Sequence, residues 1–102
     1  MNRFPVFEER TRFQPLGNVH TQVLGDQLVL LDFAAGDYFA LDTVGADLWH
    51  RIAEGASLGE MATFLTSRYD VEHADALRDT TSLLRQLLER SLIVIRHSET
   101  ET

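Results

Sequence analysis

Apolar and polar positions change their period near the middle of this chain. Residues 28–31 (LVLL) form an unbroken aliphatic run and residues 38–41 (YFAL) are again apolar and aromatic, while Ala34-Ala35-Gly36-Asp37 between them supplies turn chemistry. That combination predicts a β-hairpin. Upstream, residues 18–24 (NVHTQVL) place Val19, Thr21 and Val23 on one face against His20 and Gln22 on the other, the period of a half-buried strand. Gly25-Asp26 then turns the chain into residues 27–32. The first half therefore predicts a three-stranded antiparallel meander with short connections, a sheet too small to stand alone.

Beyond Leu41 the period becomes helical. Asp42 or Thr43 caps a helix whose apolar positions are Val44, Leu48, Trp49 and Ile52, and Gly55 stops it. Ser57-Leu58-Gly59-Glu60 is a capping box, in which the serine hydroxyl accepts from the Glu60 amide and the glutamate reaches back to the Ser57 amide. The helix it opens runs to about Tyr69 and buries Leu58, Met61, Ala62 and Leu65, with Phe64 and Tyr69 nearby. Asp70 caps or precedes the third and longest pattern, residues 72–90, carried by Leu77, Leu83, Leu84, Leu87 and Leu88. Residues 91–95 (SLIVI) resume a β-like run, expected to pack on the core or pair with the sheet.

The fold class expected is α+β, a three-stranded antiparallel sheet followed by three helices, in an order like a winged helix-turn-helix, a topology that keeps a DNA-binding regulator open as an alternative function. Its domain spans residues 18–95. Residues 1–17, with Phe4, Phe7, Phe13 and both prolines, form a partly ordered arm, and residues 96–102 a polar tail.

Composition narrows what such a domain does. A chain of 102 residues holds one core and no deep catalytic cleft, so function is expected on a surface. Nine basic residues, all arginine, against sixteen acids give a net charge of −7, which disfavours a duplex nucleic-acid partner because phosphate neutralisation supplies much of that affinity. No apolar run approaches the roughly 20 residues that span a bilayer, so no membrane partner is expected and the cytoplasm is the default location. The absence of cysteine fits a reducing compartment and removes thiol nucleophiles and iron–sulfur ligation.

Catalytic patterns are missing as well. His20, His50, His73 and His97 are scattered without a second ligand at metal spacing, and there is no phosphate loop or nucleophile elbow, so neither a metal, a cofactor nor an enzymatic activity is expected. Trp49, Tyr38, Phe39 and Phe64 could form a platform for bases, yet without flanking cations at least three of the four read better as core. What remains is the outer strand of the meander, Asp37–Leu41, whose unpaired amides and carbonyls would template an extended peptide unless covered. The same edge could instead serve a second copy of the chain, so monomer and weak dimer stay open.

In order and spacing, Val29-Leu30-Leu31-Asp32, Gly36 through Asp42, Gly45 through Trp49, Gly55 through Glu60, Tyr69-Asp70-Val71, Asp79, Leu83-Leu84, Leu87 and Leu92-Ile93 resemble the PqqD-like family, the recognition elements for ribosomally made precursor peptides. The resemblance covers about residues 19 to 95. It implies a non-catalytic adaptor that binds the leader segment of a precursor as an extra strand, in a groove walled by the third helix. Carried onto this chain, the peptide-binding residues are Asp37, Tyr38, Phe39, Ala40 and Leu41 on the strand. On the helix they are Arg78, Asp79, Ser82, Arg85, Gln86 and Glu89. The subfamily looks most like the small leader-binding proteins of lasso-peptide clusters, which pair with a leader peptidase, with the pyrroloquinoline quinone type and its radical-SAM enzyme as the alternative. Members often carry Gly where this chain has Ser91, which places the turn after the last helix in question.

Overall fold

The meander predicted from residues 18–41 is the central feature of the computed structural model, which describes residues 7–96. In chain order the elements are β1 (Arg12–Pro15), β2 (Val19–Leu24), β3 (Gln27–Asp32), β4 (Asp37–Leu41), α1 (Thr43–Ala53), α2 (Leu58–Arg68), α3 (His73–Glu89) and β5 (Ile93–Arg96). β2, β3 and β4 form an antiparallel sheet in that order, with Leu30 opposite Thr21 on one side and Phe39 on the other. Asp32 fixes the hairpin between β3 and β4: one carboxylate oxygen accepts from the amides of Ala34 and Ala35 and from the Asn18 side chain. Gly36 takes the left-handed φ of +69° that the turn requires.

The helix ends follow their local signals. Asp42 accepts from the Gly45 amide at 2.8 Å, and the Ser57–Glu60 box is closed in both directions at 3.2 and 2.8 Å. α1 ends with Gly55 at a φ of +89°, its amide bonded to the Ile52 carbonyl and the Ala56 amide to that of Arg51, a Schellman motif. Phe13, Leu30, Ile52, Met61, Leu84, Leu87 and Ile93 are completely buried where the sheet and helices meet.

Three expectations are corrected. Residues 12–15, read as part of a partly ordered arm, are a strand, and Phe13 within it belongs to the core. The apolar run after α3 packs on the core, as one of its two expected outcomes has it, with Leu92 and Ile93 buried. The other outcome is corrected, because the run pairs with that strand, Phe13 opposite Ile95, in a separate two-stranded sheet instead of extending the meander. Alternation could not reveal this, because a lone strand specifies which face is buried but not its partner. Third, β2 is not half-buried. Val19 packs on the core, but Thr21 and Val23 on the same face are exposed, Val23 by 71%. His97 and the tail after Arg96 lie outside the described residues.

Candidate functional site

The order β2-β3-β4 leaves β4 as an outer strand of the sheet. Its backbone can be followed residue by residue. The Tyr38 amide donates to its neighbour's carboxylate oxygen, Asp37 Oδ1, at 2.8 Å, and the Tyr38 carbonyl accepts from Arg90 Nη1 at 3.3 Å, so both groups point away from β3. Antiparallel strands alternate bonded and non-bonded residues, so Ala40, two residues on, also turns its amide and carbonyl outward, while Phe39 bonds to Leu30.

Beside this edge runs an open apolar groove of about 600 Å³. Its strand side is Phe39, Ala40 and Leu41, its floor Val44, Gly45, Leu48 and Leu65, and its far wall Ala76, Asp79, Leu83 and Gln86 of α3, with Tyr69 and Val71 from the α2–α3 connection. The four α3 positions recur at spacings of three, four and three, one face of a helix. At Gly45 the floor comes close to the strand, since a Cβ there would sit 3.1 Å from the Leu41 side chain.

Polar groups frame the groove. The Tyr69 hydroxyl donates to Asp47 Oδ2 at 2.9 Å, and that hydrogen bond, with burial second, pushes the phenol above its ordinary value. At the start of β4, Arg90 forms an ion pair with Asp37 Oδ2 at 3.2 Å and lies over the Phe39 ring at 5.2 Å. A smaller recess of about 360 Å³ opens between Arg90 and residues 37–40. Among the described residues no cluster of His, Asp and Glu could hold a metal, and no helix is long and apolar enough to cross a membrane.

The structure gathers part of the set expected from sequence. Phe39, Ala40, Leu41, Asp79 and Gln86 line the groove, and Asp37 and Tyr38 line the recess. Arg78 instead pairs with Asp75 at 2.6 Å and with Asp79 at 3.9 Å along its own helix. Arg85 points to the N-terminal segment, 5.5 Å from the Phe7 ring. Ser82 and Glu89 are exposed and are not among the lining residues. Leu83, Tyr69, Val71 and Arg90 join the site without having been singled out for it. The Leu83 signal was its place three and four residues from Gln86 and Asp79, whereas Arg90 carried no local one. Of the four aromatics read mainly as core, Trp49 is buried, Phe39 and Phe64 pack partly buried on the core, and Tyr38 is exposed.

A strand edge with free backbone groups above an apolar trough is the architecture that takes an extended peptide by strand addition. The chain belongs to the PqqD family: the family model described as coenzyme PQQ synthesis protein D (PqqD) matches residues 27–93. Among solved structures it is similar to a lasso peptide synthetase B1 complexed with the leader peptide, at 32% identity over 81% of this chain and 98% of that one, with a TM-score of 0.76. It is also similar to TbiB1 in complex with the TbiA(beta) leader peptide, at 28% identity over 83% and 99% of the two chains and a TM-score of 0.75. No curated protein matches the chain.

Proposed function

We propose that this protein is a non-catalytic adaptor that binds the leader segment of a ribosomally made precursor peptide and delivers it to a processing enzyme, a leader peptidase of the lasso-peptide type. The observation that carries the reading is the outward-facing edge of β4 over the α3-walled groove, in a chain whose structural neighbours hold leader peptides. A leader laid along β4 would bond to the Ala40 main chain and send apolar side chains toward Leu48, Leu65 and Leu83. Each main-chain hydrogen bond adds on the order of 1 kcal/mol net, and each buried methylene about 0.8 kcal/mol.

Ala40→Pro tests the edge without touching the β3–β4 ladder, because the amide it removes faces outward. Titrated by NMR with the leader of a precursor encoded beside this gene, Ala40→Pro is expected to lose binding, and Val23→Pro, on the opposite edge of the sheet, to keep it. Equal affinity of Ala40→Pro and the unaltered protein would move the site away from β4. In the pyrroloquinoline quinone-type alternative, supported by the family description, the receiving enzyme is a radical-SAM protein. Stoichiometric co-elution of the leader-bound domain with one enzyme and not the other separates the two.

A further inference from the structure

The free edge of β4 is not free along its whole length. At Tyr38 both groups that an added strand would need already have partners, the amide with Asp37 Oδ1 and the carbonyl with Arg90 Nη1. The same guanidinium nitrogen is paired with Asp37 Oδ2, so one carboxylate and one guanidinium together occupy the positions of a neighbouring strand's carbonyl and amide. Arg90 is held in place from both sides. It is the C-terminal cap residue of α3, and its guanidinium stacks over Phe39. At Ala40 no such side-chain partner is found among the described residues. Side chains that cover an edge are a known protection against unwanted strand pairing, and here the cover stops halfway.

We propose that Asp37 and Arg90 are register-determining residues: they cap the β4 edge at Tyr38, so that an extended peptide pairs first at Ala40 and extends its ladder to Tyr38 only by displacing the guanidinium. This rests on the adaptor reading and deepens it. The recess between Arg90 and residues 37–40 is where the displaced side chain sits beside the peptide. A peptide with Pro at the position facing Tyr38 has no amide to offer the Tyr38 carbonyl, gains little from opening the cap, and is held chiefly through Ala40 and the groove.

The test has one arm without peptide and one with it. In the free protein, amide hydrogen exchange is expected to show Tyr38 protected relative to Ala40, with that protection lost in Asp37→Ala; equal exchange at Tyr38 and Ala40 in the unaltered protein would overturn the cap. In titrations with the leader encoded beside this gene, both Asp37→Ala and Arg90→Ala are expected to bind about two- to fivefold tighter, the range an exposed ion pair can account for. The Tyr38 amide is expected to shift on binding in all three proteins. Weaker binding by Arg90→Ala alone would make Arg90 a direct peptide contact, and unchanged binding by both would mean the cap does not stand in the way; either result overturns the proposal. If no leader binds the unaltered protein, the adaptor reading falls while the exchange arm still decides the cap.

Discussion

Ser91 holds a φ of +59°, a conformation that costs an L-residue with a side chain roughly 1–2 kcal/mol. It does so because α3 ends as α1 does. The Leu92 amide bonds to the Leu87 carbonyl and the Ser91 amide to that of Leu88, the two bonds of a Schellman motif, whose left-handed position is filled by Gly55 after α1 and by Ser91 here. The turn forms despite the departure from the family pattern, and the strain is the consequence. Ser91→Gly is expected to raise stability by about 0.5–1 kcal/mol, less than the full strain because glycine loses more chain entropy on folding. Ser91→Val, β-branched at a positive φ, is expected to lower it. Urea unfolding of the three proteins, compared at constant m-value, checks both signs.

Single caps were legible in the chain, but what ties one element to another was not. Ser57 and Glu60 announce the start of α2 three residues apart, yet the third member of that cap is Arg12 on β1, which donates to Glu60 Oε1 at 3.0 Å and to the Gly55 carbonyl at 2.6 Å. No pattern of spacing connects positions 12 and 60. The hydrogen bond from the Ser57 amide, and then that from Arg12, hold the Glu60 carboxyl below its usual 4.5. A carboxyl with a depressed folded-state value stabilises the fold above its unfolded value and loses that contribution as pH falls through the folded one. Below about pH 4.5 this contribution of Glu60 to the β1–α2 junction is therefore expected to fade. Glu60→Gln is expected to flatten the stability profile over that window, measured as the denaturation midpoint against pH. α3 shows the same limit of local reading. Its leucines gave the core face, but a helix lying between core and groove presents two working faces. Choosing polar positions around it therefore took in Arg78 and Arg85 together with Asp79 and Gln86, and passed over Leu83.

Across the whole molecule, the chain closes on itself through its first and last described strands. β1 lies against β5 with Pro15 opposite Ile93, and the Leu58 and Gly59 amides bond to the carbonyls of Thr11 and Glu9, so the N-terminal segment braces the start of α2. Phe13 anchors this closure, fully buried and edge-on to Phe7 with ring centres 5.2 Å apart. The sequence placed Phe13 in a charged, proline-bearing stretch, and such a segment carries no period from which burial can be read. The energetic consequence is large for a body this size. Phe13→Ala is expected to cost about 3–5 kcal/mol, a substantial part of the roughly 5–15 kcal/mol by which domains are stable. Guanidinium unfolding followed by Trp49 fluorescence measures it, because Trp49 is buried and α1 packs against β1. A loss under 1 kcal/mol would mean that the β1–β5 sheet is an appendage and that the meander with its three helices stands without it. A loss in the expected range would make the two-stranded sheet a structural member of the core, on which the meander and its three helices depend.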